Sequence, residues 1–375
     1  MSSQIQLREE SDTIYWDCVM GYHPNSLGDS PAIYQQQLTQ PIVYNPKNYF
    51  LAVVRFSVPG RIIPIFVADI LPYPNTDLNK TIYSFTLVYG GNTVRQYIEY
   101  ISTTPTGFPP LPITPTHPRV ERTQYYYVYT YTIFIEMMNN ALLAAFNALP
   151  TKPPTVGSNP PAAPYFVFDP ITYRITLWAQ QAYYDQALST SINIYCNNEM
   201  FRFLDGIRVI YNDFNDPNGS VFKFDVRLIG NPNPNSSNTY PPAYINLTQE
   251  YPTLNNWNDM QSIQFISNLL PINREFIPNV LNSSASIVNS KGILADFIPI
   301  YELGPEARTI IQYVQTGPWR YIDMFGTAPI SRIDINVVWN DARGNSYPVY
   351  IPENQNVSIK LLFIKKKYAG LSTGK

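Results

Sequence analysis

The sequence predicts a mainly β protein, with antiparallel strands stacked as jelly-roll sandwich sheets, Pro-rich loops and one well-patterned helix. Its C-terminal stretch, Pro329 to Lys367, reads as consecutive antiparallel strands. Ile333, Ile335, Val337 and Trp339 alternate with Asp334, Asn336 and Val338, and the turn Asn340-Asp341-Ala342-Arg343-Gly344-Asn345 reverses the chain. Residues 347–351 run back, then Val357, Ile359, Leu361 and Phe363 alternate with Ser358, Lys360, Leu362 and Ile364. A period of two, interrupted by Gly and Asn, is the pattern of strands joined by hairpins. The same pattern recurs along most of the chain. Composition adds a third observation. Charged residues make up 14% of the 375 residues, below the roughly 25% of ordinary soluble domains, while 35 prolines and 30 tyrosines exceed ordinary usage. Uncharged polar groups and Tyr are buried between subunits at lower desolvation cost than Lys or Glu, so this composition leans toward assembly.

Taken in order, residues 1–40 are polar, Gln-rich and without sustained periodicity, and read as an extended N-terminal arm ordered by what it touches. Residues 41–229 form a β-rich region. Its first strand covers 49–58, and Pro64 marks the run 61–67 as an edge. Runs 81–89 and 93–101 flank Gly90-Gly91-Asn92, whose glycines supply the positive φ of a tight hairpin. Prolines at 105, 109, 110, 112, 115 and 118 fix an extended loop, and the Tyr-rich run 124–132 is β-prone throughout. From Ile135 the period changes. Ile135, Met138, Leu142, Ala145, Phe146 and Leu149 share one helical face until Pro150, which predicts a helix over 135–149 packed across a sheet.

Beyond a second Pro-rich loop, runs 165–168 and 171–178 flank Asp169-Pro170 as another hairpin, followed by short strands at 191–195, 207–211 and 221–228. The Asn/Pro/Ser-rich stretch 230–242 has nothing to bury and reads as a linker. Residues 243–375 then form a second β-rich region, with strands at 262–266, 293–301, 309–314 and 319–324 ahead of the C-terminal hairpins. About eight strands in a unit is the count a jelly roll requires.

Catalytic grammar is missing. The only histidines are His23 and His117, one in the arm and one in a Pro-rich loop, which leaves no histidine triad or multi-histidine metal site. Cys18 and Cys196 are too few for a disulfide framework and match no zinc spacing. There is no phosphate-cradling glycine motif, so no nucleotide cofactor is expected. Asp169, Asp205, Asp296, Glu302, Asp323, Asp334 and Asp341 are the nominees for a glycosidase-type acid pair, but each sits where Asp favours turns, caps or interstrand ion pairs. Asp334 facing Lys360 across a hairpin would be an ordinary strand-pair contact. The N-terminus has no apolar signal core, and no apolar run is long enough for a transmembrane helix. Six N-x-S/T sequons fit chance in a chain rich in Asn and Ser.

Two features stand out as contact candidates. Lys365, Lys366 and Lys367 form the one cationic cluster, able to meet a genome or an inner membrane, or simply to guard a strand end. Tyr125, Tyr127, Tyr129 and Tyr131 alternate as one face of a strand, suited to an interface, a core or a glycan.

The run Asn45-Pro-Lys-Asn-Tyr-Phe-Leu-Ala-Val-Val-Arg-Phe-Ser-Val-Pro, the stretch Trp319-Arg-Tyr-Ile-Asp, the strand Ile333-Asp-Ile-Asn-Val-Val-Trp-Asn-Asp and the ending Ile359-Lys-Leu-Leu-Phe-Ile-Lys-Lys resemble capsid proteins of icosahedral DNA viruses. The likeness is to the penton or minor capsid (jelly-roll) proteins of virophages and polinton-like viruses of the double-jelly-roll lineage. It implies a jelly roll with an inserted or second β domain, a structural role in the virion, no enzymatic activity, and closed cyclic association of copies. A pentamer beside a major capsid protein is the first expectation, and a trimer follows if the chain is a small major capsid protein itself. A host-attachment protein that binds glycan and a two-acid hydrolase are the alternatives. Synthesis in host cytoplasm or nucleus follows from the missing signal peptide.

Overall fold

The computed structural model describes residues 11–23, 30–72, 75–102, 124–211, 224–226, 244–252, 257–277, 289–299, 310–342 and 344–369. The chain divides into two compact units, Met1–Ile63 with Met260–Lys375, and Pro64–Asp259. This differs from the expected division at 230–242, which lies outside the described residues. The first unit is interrupted by the second, so composition at a linker carried no signal of the true boundaries.

The first unit is a jelly roll. Its eight principal strands are β1 (Thr13–Gly21), β2 (Ile33–Gln37), β3 (Tyr49–Pro59), β4 (Met260–Ser267), β5 (Asn289–Phe297), β6 (Ile310–Val314), β7 (Arg332–Asp341) and β8 (Asn356–Lys365). They form two antiparallel sheets, in the orders β1-β8-β3-β6 and β2-β7-β4-β5. Consecutive strands fall in different sheets except β4 and β5, which pair within one, and this is the double Greek key of the fold. The other unit is inserted between β3 and β4.

Alternation explains the packing. On β8, Val357, Ile359, Leu361 and Phe363 are buried. Phe56 of β3 stacks on Phe297 of β5 at 4.3 Å between ring centroids and meets Phe265 of β4 at 5.1 Å, joining the two sheets through their inner faces. Leu362 and Ile364 are buried as well, because Phe50, Trp319, Tyr321 and Tyr368 cover the opposite face of β3 and β8 with Ala52. That explains why β8 is apolar at consecutive positions near its end.

Three expectations are corrected in this unit. Residues 13–21 and 33–37 are strands, not an arm: Ile14, Trp16, Cys18 and Met20 alternate with the more exposed Tyr15, Asp17 and Val19. β2 reads as polar because it is an edge, held by backbone pairing to β7. The strand 332–341 does form a hairpin with Ser346–Pro348, but β7 and β8 lie in different sheets. Asp334 therefore does not face Lys360. A period of two tells which face a residue shows, not which sheet its strand joins.

The inserted unit holds a five-stranded sheet, in the order Val209–Tyr211, Phe224–Val226, Asn193–Cys196, Lys80–Tyr89, Asn92–Glu99, and a three-stranded one, Tyr244–Thr248, Arg174–Gln180, Tyr165–Asp169. The Gly90-Gly91 hairpin is present, with both glycines at positive φ. So is the hairpin from Tyr165–Asp169 to Arg174–Gln180. One helix, Tyr131–Asn147, lies against these strands and buries Phe134, Met138, Leu142 and Ala145. It starts earlier than expected because Thr130 caps it, its hydroxyl accepting from the Ile133 N–H at 3.3 Å. Only Tyr127–Val128 of the Tyr-rich run is strand, paired with Phe66–Val67; β propensity at Tyr129 to Thr132 yields to capping and an apolar helical face.

Candidate assembly surface

The first sheet of the jelly roll ends in β1 on one side and β6 on the other, and no strand among the described residues pairs with the outer edge of either. An edge strand presents alternate N–H and C=O groups to whatever comes beside it, and proteins that stay monomeric blunt such edges with Lys, Pro or bulges. β6, Ile310-Ile-Gln-Tyr-Val314, contains none of these. Its Ile310 is 58% exposed and Val314 65% exposed, while Tyr313 stacks on Phe56 at 5.1 Å and anchors the strand to the core. On β1, Tyr15 and Val19 are 56% and 58% exposed. Asp17 between them is neutralised by Lys360 at 3.1 Å and Arg55 at 3.5 Å. Both edges thus offer apolar side chains with little uncompensated charge.

Strand direction matters here. Each neighbour in β1-β8-β3-β6 is antiparallel to the next, so β6 runs opposite to β1. A second copy in the same orientation would bring its β1 against this β6 as an antiparallel pair, extending one sheet into the next.

The cationic cluster is engaged within the fold. Lys365 reaches Asp12 at 2.9 Å, and this pair holds the Asp12 carboxyl below its ordinary range. Lys366 pairs with Asp323 at 2.5 Å and lies over the Phe50 ring, and Lys367 lies over Tyr368. The lysines secure the end of β8 and do not form an open polyanion patch. Nor do the tyrosines form an exposed stripe. Tyr127 and Tyr131 are fully buried, Tyr131 against Trp257 at 5.3 Å, and Tyr125 and Tyr129 are half-buried. Tyr100 donates to the Tyr127 carbonyl at 2.8 Å and Tyr125 to Asn79 at 3.2 Å. Without a strand there is no common face to show a partner.

The acids fill structural roles. Asp169 caps its hairpin through Ile171 N–H at 2.9 Å and the Thr172 hydroxyl at 2.6 Å, bonds that lower its pKa. Asp296 accepts from Gln264, Asp205 from Tyr251, and Asp341 binds the Asn345 N–H and the Tyr347 hydroxyl. Glu302 and His117 lie outside the described residues. No group of three or more His, Cys, Asp or Glu among the described residues is placed to hold a metal ion.

A family model for the Sputnik minor capsid protein V18/19 matches residues 14–365. The chain belongs to this family. Structural protein V19 of Sputnik virophage is 50% identical over 204 residues, 54% of this chain and 94% of that protein. Protein V18 of the same virophage, uncharacterized, is 45% identical over 168 residues, 44% of this chain and 97% of that protein. A chain in the cryo-EM structure of the Sputnik virophage superposes with a TM-score of 0.75 at 47% identity, over 96% of this chain and 99% of that one. The mavirus penton protein, at 14% identity, shares the fold with a TM-score of 0.59 over 94% of this chain and 99% of its own. Membership in the V18/19 family makes this minor capsid protein a structural component and not an enzyme. The residues missed in the sequence are those of β1, and the alternation of Ile14, Trp16, Cys18 and Met20 was the signal that marked them. That β6 is an edge had no signal, since pairing partners are not written in a strand's own residues.

Proposed function

We propose that this minor capsid protein builds the vertices of an icosahedral virion as a closed ring of five copies set among a major capsid protein. The observation that carries this reading is the pair of edges, β1 and β6, that no strand among the described residues covers, which belong to one sheet, run in opposite directions and expose apolar side chains. Two different patches that fit each other make a head-to-tail interface, and such an interface closes into a ring when the rotation allows. Closure also removes both exposed edges at once. The family and the penton fold of mavirus support the same reading.

Native mass spectrometry of the purified chain tests it. A five-subunit species is expected, and introducing Ile310→Lys with Val314→Lys should leave folded monomers, because two lysines on an edge oppose pairing. A wild-type trimer would assign the chain the role of a major capsid protein, and a monomer that fails to co-assemble with the major capsid protein would refute vertex formation. If the double variant keeps its ring, β6 is not the contact.

A further inference from the structure

At one end of the first sheet, where β3 finishes and β6 and β8 begin, the jelly roll has an open cleft of about 450 Å³. It is lined by Ser57, Pro59, Arg61, Ile310, Asn354 and Asn356 among others. Three features converge there. Arg61 is exposed and makes no ion pair with a described residue. Asn354 is held at φ +65° in the turn that Gln355 N–H closes on the Pro352 carbonyl at 3.3 Å. Asn tolerates this left-handed conformation better than most side chains, and the turn sets the direction in which its side chain leaves the backbone. Gln355, also on the wall, buries its carboxamide oxygen without a hydrogen-bond partner among the described residues. A buried acceptor left unpaired is unfavourable, so a donor that reaches it is stabilising.

We propose that this cleft binds a small saccharide bearing a carboxylate. Arg61 takes the carboxylate through its planar fork. Ser57, Asn354 and Asn356 each both donate and accept, which matches sugar hydroxyls that do the same. Ile310 and Pro59 meet the apolar face of the ring. One cation among uncharged amides suits a single negative charge; a polyphosphate or nucleic acid calls for several clustered Lys and Arg. The volume is at the small end of ligand clefts, sized for one or two sugar rings.

Saturation-transfer NMR on the whole chain, with N-acetylneuraminic acid and glucuronic acid as probes and glucose and acetyl-glutamate as comparisons, tests this. Both sugar acids are expected to receive saturation at millimolar concentration, glucose and acetyl-glutamate far less. Arg61→Ala should weaken the acids by about tenfold or more, and Arg61→Lys by less, because the charge stays and the fork is lost. Asn354→Gly, which relieves the backbone and removes the carboxamide, should weaken binding with an unchanged circular dichroism spectrum. No transfer to either acid in wild type, or equal transfer in a folded Arg61→Ala, overturns the proposal. Acetyl-glutamate binding as tightly as the sugar acids reassigns the cleft to a peptide carboxylate and overturns it too. Because Ile310 lines the cleft and also lies on the proposed ring contact, the Arg61 and Asn354 variants are compared with wild type at matched native mass.

Discussion

Asp334 sits on β7 with 3% of its surface exposed, and its two oxygens accept from the Ser267 hydroxyl at 2.6 Å, the Asn268 N–H at 3.0 Å and the Leu269 N–H at 2.9 Å. Ser267 in turn accepts from the Leu270 N–H at 3.0 Å, so one carboxylate organises the turn that ends β4. Removing it leaves the buried Ser267 hydroxyl and the N–H groups of the more exposed Asn268 and Leu269 without their partner, at about 1 kcal/mol each. Asp334→Ala should therefore cost about 3 kcal/mol in urea unfolding, and Asp334→Asn less, since one carbonyl acceptor remains. Equal stability of Asp334→Ala and wild type would refute the capping role. From sequence alone this residue belonged with the candidate acids; its spacing could not reveal that the partners lie 65 to 67 positions earlier.

The pairing of β4 with β5 depends on a close approach. Gly292 stands opposite Ser267 in the register, beside the shift at Phe265/Ile266, and a Cβ there would lie 2.3 Å from the Ser267 carbonyl oxygen. The obstacle is backbone, so the strands must part. Gly292→Ala should lower stability by about 2 to 3 kcal/mol as overpacking does, while Gly317→Ala, whose Cβ meets nothing within 4 Å, should stay near wild type. A chemical denaturation midpoint measured for both decides it. At this scale much was legible: the hairpin at Gly90-Gly91, the helix and the strand 332–341 follow from periodicity and turn chemistry alone. What was not legible is pairing. β7 and β8 read as one hairpin succession yet join opposite sheets, and β2, Ile-Tyr-Gln-Gln-Gln, reads as arm because an edge strand needs no alternating apolar face once β7 supplies its hydrogen bonds. The tyrosine run failed for the related reason that a β-prone segment next to an N-cap and an apolar helical face becomes the helix start.

Across the whole molecule, low charge moves the pH sensitivity to the alkaline side. Burial pushes the Cys18 thiol up to about 12, raises Cys196 and Tyr83, and carries Tyr100 and Tyr184 well above the usual phenol range. In the unfolded chain thiols ionise near about 8.5 and phenols near about 10. Between those values and the raised ones the unfolded chain has released protons that the fold still holds, so the unfolding free energy falls as pH rises. Below the unfolded thiol value the contribution is constant. The lowered carboxyls, Asp12 and Asp169, are both near the surface and add little on the acid side. The melting temperature should hold level from about pH 7 to 8 and fall with increasing slope from about pH 9 upward. Because Tyr83, Tyr100 and Tyr184 all lie in the inserted unit, their phenolate absorbance should appear together with loss of that unit's near-ultraviolet dichroism. Gradual ionisation of all tyrosines near the ordinary phenol value, with the dichroism intact, would show that these side chains are hydrated and that the aromatic core around Tyr83, Phe134 and Phe203 is not closed to water.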